Sequence, residues 1–419
     1  MTRESPMASL QLDEAAEEST LKQLQTEHGY YATNGAFVTH SQALGFPPNL
    51  GAIFPLAPAT DAYVKNHAAI HAQLYQLARR TPRFLFRAWY DLSGGTLGLN
   101  TADAITPLAF AKGMGPASIH NLPVDILRDL ADGHYGGTHV NTVFSLWSQS
   151  LPLVLSLATG IPHESAHVSV VDTALLVATP GEAPSPVLWT QELSRILPPC
   201  PGDWCEFLAF GVVAGAAHKA VRYTDLQEAG VGELLRAMQA GATAQYKEAE
   251  EPLVIAMRVG DLFGDAFKLP VTAYLLTLRA TTAEATARLV DSLSAAFTEV
   301  PEQWRADANI MKAGHAYVGP FGETAQATEL LRALVRKRYG DGGAEGEALI
   351  PTDPESEDLT EDPAKALLEY LAEGLAEHTE TMATAQKPAP VPSRRVSRMV
   401  RELYTNMVGC ENSNAMLSK

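Results

Sequence analysis

The chain has 419 residues, long enough for two or three domains, because single cores usually stop growing before about 250–300 residues. Its 46% hydrophobic and 19% charged residues are a globular balance, which excludes a wholly disordered or collagen-like chain. Lys plus Arg total 31 against 48 for Asp plus Glu, a net charge of −17 that repels a phosphate backbone, so no nucleic-acid partner is expected. The three cysteines, Cys200, Cys205 and Cys410, cannot build a disulfide framework. The amino-terminal residues are polar and acidic where a signal peptide needs a basic start and an apolar stretch. No apolar run reaches the roughly 18–20 residues of a membrane span. A cytoplasmic protein is the expectation, with a nuclear location as the second reading.

In chain order, residues 1–35 read as a disordered acidic arm. Residues 36–223 then read as an α+β domain. Within it Asp61–Arg80 predicts a helix with Tyr63, Ile70, Leu74 and Leu77 on one face, stopped by Pro82. Phe84–Tyr90 predicts an aromatic strand, and Pro123–Ala131 a short helix ended by Gly133. Val143–Trp147 predicts a strand and Leu151–Ala158 a helix with Gly160 as its cap. His167–Val177 and Glu206–Val213 are further strands, the first rich in β-branched residues. Short strands mixed with short helices, without regular βαβ alternation, argue for a mixed β core.

Residues 224–340 are dominated by Ala, Leu, Glu and Arg, with Gly-rich breaks, and predict a mostly helical region including Leu226–Gln245 and Thr282–Phe297. Residues 341–419 form an acidic linker and tail. Within the tail, 394–407 is a basic amphipathic helix with Val396, Val400, Leu403 and Met407 on one face and Arg394, Arg395, Arg398 and Arg401 opposing. Docking on the body of this acidic protein and docking on a protein partner are both consistent with that face.

Two constellations could carry chemistry. His163-Glu164-Ser165-Ala166-His167 matches the H-E-x-x-H string, in which a helix brings two histidines to zinc and the Glu polarises water. It sits between Pro162 and a strand-like run, and no compelling third ligand follows, Glu182 and Glu192 being no more than candidates. No metal is favoured, and a zinc metallohydrolase is kept as an alternative. The second constellation is dispersed: Arg87 inside an apolar strand, Ser145 and Ser148 about sixty residues later, and Glu206 about sixty residues further on. A charge in a buried run costs several kcal/mol unless paired or bound to a ligand. An Arg87–Glu206 structural pair, or two strand-end charges that reach water, is therefore one reading, and a ligand site is the other.

The order Leu85-Phe86-Arg87-Ala88, then Phe144-Ser145-Leu146-Trp147-Ser148 before a helix, then Glu206-Phe207-Leu208-Ala209-Phe210-Gly211 resembles the Arg-Ser-Glu class of mono-ADP-ribosyltransferases, the cholera-type and pierisin-type group. The Leu-Phe-Arg-x-Trp and Glu-Phe-Leu-x-x-Gly strings are also similar to a fungal domain family of uncharacterised activity. The likeness covers roughly residues 82–222. It implies an ADP-ribosyltransferase-like core that binds NAD, either cleaving it to transfer ADP-ribose to an acceptor such as a protein, or keeping the fold without the activity. Arg87 would hold the pyrophosphate, Ser148 or Ser145 would position the Glu206 carboxylate, and Glu206 would face the ribose as nicotinamide leaves. Trp89, Tyr90 or Trp147 would stack on the nicotinamide or adenine ring of the cofactor. The first Ser of the family's Ser-Thr-Ser falls on Leu146, and Trp204 stands where arginine-modifying members carry a second Glu. A non-catalytic binding or scaffold module is the remaining alternative.

Overall fold

The structure is a computed structural model. It describes residues 61–340 apart from 92, 94–96, 114, 116–117, 123, 136–141, 160, 162–164, 177–185, 199–205, 240–251, 279–282, 308–309 and 311–321, together with 15–16, 18–20 and 22. The expected tail helix at 394–407, the acidic linker, Glu182, Trp204 and the cysteines lie outside the described residues.

In chain order the elements are α1 (Asp61–Ala78), β1 (Phe84–Trp89), β2 (Ala104–Ile105), α2 (Leu108–Ala111), α3 (Val124–Tyr135), β3 (Phe144–Ser148), α4 (Leu151–Thr159), β4 (His167–Asp172), β5 (Val187–Trp189), α5 (Thr190–Ile196), β6 (Glu206–Phe210), β7 (Val213–Ala214) and β8 (His218–Arg222). The helices α6 (Tyr223–Glu228), α7 (Val231–Gln239), α8 (Pro252–Leu262), α9 (Asp265–Leu276), α10 (Ala283–Ala296) and α11 (Gly322–Tyr339) follow. The fold is mixed α+β. Contacts divide the chain into one unit of Met1–Gln149 with Ser165–Ala220, and a second of Ser150–Glu164 with Val221–Lys419.

The first unit is organised by a six-stranded antiparallel sheet of order β5-β6-β3-β1-β4-β8, with β2 and β7 forming a separate two-stranded ladder. Strands β1, β3 and β6 are runs of aromatic and aliphatic residues, and Phe84, Leu85, Phe86, Phe144, Phe207 and Leu208 are all buried. Such runs suit strands covered on both faces. Strand β4 ends at Asp172, five residues before the expected Val177. The Asp172 carboxylate accepts from Ala174 N at 3.0 Å and caps a 3₁₀ turn over Thr173–Leu175. The same carboxylate closes a buried fork with Arg83, whose Nε lies 3.1 and 3.2 Å from the two oxygens and whose Nη2 lies 2.9 Å from Oδ2. Helix α3 runs through Gly133 to Tyr135, so that glycine does not end it.

Helix α1 buries His67 and His71 along with Leu74 and Leu77, while Ile70 is only half-buried. His67 Nε2 accepts from Val124 N at 2.8 Å, and His71 Nε2 donates to Leu122 O at 3.1 Å. With its proton on Nε2, neutral His71 accepts at Nδ1 from His120 Nδ1, 3.2 Å away. Burial, with His120 and His67 acting in the same direction, holds the His71 pKa well below the usual histidine value. The expected acidic arm also contains helix: residues 18–20 are helical, and Thr20 is buried with its hydroxyl accepting from Gln76 Nε2 at 2.9 Å.

The second unit is helical. Gly230, at φ +99°, separates α6 from α7, which splits the single helix expected from Leu226. Arg258 Nε donates to Ala229 O at 2.9 Å and ties α8 to the end of α6. Thr159 of α4 and Tyr223 of α6 are hydrogen-bonded through their hydroxyls at 2.6 Å. Helices α8 and α9 form a close hairpin around Ile255, Ala256, Val259 and Thr272, and α9 and α10 pack on α11 through Leu330, Leu331 and Leu334.

Candidate functional site

Arg87, Ser148 and Glu206 lie on three neighbouring strands, β1, β3 and β6. Register sets Phe86 opposite Ser148, and Ser148 opposite Glu206, so one row crosses the sheet one residue away from Arg87. Ser148 and Glu206 are both buried. Successive strand residues point to opposite faces. Ser148 and Glu206 therefore share a face with Phe86, and Arg87 leaves the backbone on the other face with Ser145, Trp147 and Trp89.

The guanidinium of Arg87 does not stay clear of the sheet. Strands β1 and β3 pair only at Phe86 and Ser148, and beyond that point Arg87 Nη1 donates to the Leu146 carbonyl at 2.7 Å. The side chain thus takes a backbone acceptor where the ladder parts. Among the described residues no carboxylate pairs with Arg87, and its buried Nε has no hydrogen-bond partner. The Arg87–Glu206 structural pair expected as one reading is not formed. Burial lowers the Arg87 pKa to about 10, which leaves it cationic at neutral pH. A half-buried guanidinium whose buried Nε–H is unused, with no carboxylate paired to it among the described residues, suits an anionic group such as a pyrophosphate.

On the Arg87 face, β1 and β4 pair Arg87 with Ser169 and Trp89 with His167. Trp89 Nε1 donates to Ser169 Oγ at 2.7 Å, and His218 Nε2 lies 3.0 Å from the same oxygen. We assign the Ser169 proton to that second bond, which leaves the imidazole proton of His218 on Nδ1. The His218 ring meets Trp147 edge to face at 6.2 Å, and Trp147 Nε1 donates to Ser145 Oγ at 2.9 Å. Burial pulls the His218 pKa down to about 4; Arg87 and Lys219 act in the same direction, and the backbone and carboxylate of Asp103 oppose them. His134, whose Nδ1 is 3.1 Å from Thr142 Oγ1, is likewise held at about 4 by burial and then by Arg87.

Trp89 and Trp147 are both almost fully buried, and each already has a ring partner, Trp89 stacking on His167 at 4.2 Å. Neither ring is open to stack on a ligand as the structure stands. Ser145 is occupied by Trp147 and is on the face away from Glu206, so Ser148 is the serine beside the carboxylate.

The H-E-x-x-H string does not fold as a helix at its second half. Ser165 is in a turn, His167 opens β4, and His167 Nδ1 donates to Ser165 O at 2.5 Å. His163 and Glu164 lie outside the described residues. Glu192 is buried and ion-paired with Arg195. Among the described residues no three His, Cys, Asp or Glu side chains converge to hold a metal ion, and no helix is long and apolar enough to cross a membrane.

His134 and His218 were not legible as neighbours of Arg87. Lys219 and Arg222 are the exposed residues of His218-Lys219-Ala220-Val221-Arg222 and lie three apart, so no period of two marks β8, which is the edge strand of the sheet. Compared with known proteins, the chain matches no family model, no curated protein and no solved structure.

Proposed function

We propose that the first unit is an ADP-ribosyltransferase-like domain that binds NAD through Arg87, Ser148 and Glu206. The observation that carries this reading is the placing of three short motifs, far apart in sequence, on three adjacent strands, with Ser148 directly opposite Glu206. Two strand spacings separate β1 from β6, about 10 Å, and the Arg87 and Glu206 side chains must close part of it, because the pyrophosphate is joined to the nicotinamide ribose through C5′ alone. Alternation sets one condition on the reading. The ligand must reach Arg87 through the gap where β1 and β3 part, because the Cβ of Arg87 and that of Glu206 leave opposite faces.

Bound there, NAD supplies the glycosidic bond to nicotinamide. Arg87 supplies fixed positive charge and a free Nε–H to the pyrophosphate. Glu206 accepts a ribose hydroxyl and presents a carboxylate to the positive charge that grows at the breaking bond. Ser148, its cross-strand neighbour, fixes the carboxylate direction. The acceptor is then a nucleophile from water or from a protein side chain.

The test is nicotinamide release from NAD by the full chain, beside a folded Glu206→Gln variant. Release lost in the variant supports an active transferase or hydrolase. Binding of NAD without release supports a domain that keeps the site but not the turnover. Absence of both sinks the reading.

A further inference from the structure

The first unit carries an apolar surface almost without charge, separate from the proposed NAD site. Five large apolar side chains are exposed among the described residues, and three of them are in this unit: Leu97 at 68%, Leu175 at 44% and Val212 at 40%. Backbone pairing brings their stretches together. On one side of β2 lies β7, with Ile105 opposite Val213 and Ala104 opposite Ala214, and on the other Asn100 bridges to Ile105. Ile105 and Val213 are buried, so alternation turns Val212 and Ala214 outward. β7 runs straight into a 3₁₀ turn at Gly215–Ala217, in which Gly215 and Ala216 are exposed, and the turn Thr173–Leu175 packs against it. In the stretches that build this surface, 97–105, 173–176 and 212–219, Asp103 and Lys219 are the charged residues, and they are of opposite sign. A second part of the chain has the same character. From His28 to Thr60 there is no Asp, Glu, Lys or Arg, although such residues make up 19% of the protein, and Phe37, Phe46 and Phe54 are spaced along this run. Both ends of the run lead into the first unit: Thr20, before it, is bonded to Gln76 of α1, and Asp61, after it, opens that helix.

We propose that the uncharged segment 36–56 of the same chain packs on this surface, with Phe37, Phe46 and Phe54 as its anchors against Leu97, Leu175 and Val212. Large apolar side chains left in water are unfavourable on both partners, and packing them together removes both exposures. The length of the segment allows it. Helix α1 packs on β5 at one edge of the sheet, and the turn Thr173–Leu175 leaves β4 near the other. Six strands span about 24 Å, and residues 23–60, at about 3.3–3.6 Å per extended residue, can cross that width and return. Charge selects this occupant over the others. The segment brings no ionised side chain to be stripped of water. The tail segment 394–407 would instead bring Arg394, Arg395, Arg398 and Arg401 to a surface whose one carboxylate is offset by Lys219. A second copy would bring another net charge of −17 alongside the first.

The experiment puts the photoreactive residue p-benzoylphenylalanine in place of Leu97, Leu175 or Val212 in the full chain, one position at a time. These side chains are exposed, so the replacement leaves the core intact. The folded protein is irradiated, digested with trypsin and read by mass spectrometry. No Lys or Arg falls between Lys22 and Lys65, so one tryptic peptide, Gln23–Lys65, carries the whole segment. The expected result is a crosslink within one chain to that peptide from at least two of the three positions. Combining Phe37→Ser, Phe46→Ser and Phe54→Ser should lower its yield several-fold. Crosslinks confined to other segments, 177–185 and 394–407 included, would overturn the proposal. So would crosslinks to a second copy alone, the absence of any crosslink, or an undiminished yield in the triple variant.

Discussion

Ser148 on β3 and Glu206 on β6 are direct cross-strand partners, and both are buried. A carboxylate in that position is costly unless its environment has a use for it. If the use is to face charge developing on a ribose, Glu206→Gln keeps the shape and removes the charge. Nicotinamide release should then fall about 10²–10³-fold, the loss typical of a removed transition-state electrostatic partner. Circular dichroism of the variant must match wild type for the result to count. Ser148→Ala should lower release less than Glu206→Gln, because it loosens the carboxylate without discharging it. Equal activity of all three proteins would remove Glu206 from the chemistry.

The Arg83–Asp172 fork is structural rather than catalytic. Both side chains are almost wholly buried, three N–H···O contacts join them, and Asp172 also caps the turn that follows β4. Breaking a buried pair by deleting one partner leaves an unpaired charge, at a cost of about 3–5 kcal/mol. Asp172→Asn and Arg83→Met should each lower the urea midpoint strongly. The double variant should recover a large part of the loss, since no orphan charge remains. Additive losses in the double variant would argue against the pair acting as a unit.

The strands that were legible in the sequence are those whose side chains alone decide their state. Phe84–Trp89 and Glu206–Phe210 are apolar and aromatic apart from Arg87 and Glu206, and Phe144–Ser148 apart from its two serines. The three-residue β5 is too short to carry a period, and β8 buries Ala220 and Val221 side by side, so its five residues show no alternation. The over-long forecast for β4 failed because Asp172 answers to Arg83, 89 residues away in sequence, and no local pattern contains that. The candidate site divides in the same way. Adjacent residues take opposite faces, so Phe86 and Arg87 could be assigned to different sides from the sequence. That Ser148 shares the face of Phe86 needed the register between strands. His218 and His134 required both register and helix placement, which depend on contacts far along the chain.

Acid should destabilise the protein earlier than its carboxylates alone require. His71, His134 and His218 have lowered pKa values in the folded state, chiefly through burial, with His134 and His218 near 4. The unfolded chain protonates these side chains near the ordinary value of about 6.5, so below it the unfolded state binds more protons. Stability from these groups is therefore full above about 6.5 and falls as pH drops towards 4. Each group contributes at most about 1.36 kcal/mol per pH unit in that window. Urea midpoints across it should slope downward with acid, and His218→Gln should flatten the slope. A midpoint constant from neutral pH to about 4.5 would contradict the three neutral histidines.

Gly260 marks a close approach between α8 and α9. A Cβ built there would lie 2.6 Å from Thr272 Oγ1 and 2.8 Å from the Lys268 carbonyl oxygen. The threonine hydroxyl can turn, although it then gives up its 3.3 Å bond to Ala256 O. The Lys268 carbonyl is backbone and can move only if α8 and α9 separate. Against this, Ala is favoured over Gly inside a helix by about 1 kcal/mol. Overpacking of a tight contact costs typically about 1–3 kcal/mol, so the clash outweighs the propensity and Gly260→Ala should be destabilising. Adding Thr272→Ala should restore only part of the loss, because the carbonyl contact persists. Gly232 in α7 is the control: nothing lies within 4 Å of its Cβ position, so Gly232→Ala should be neutral or stabilising. Thermal unfolding followed by helical circular dichroism reads all three variants. A higher midpoint for Gly260→Ala would show that α8 and α9 are not held this close.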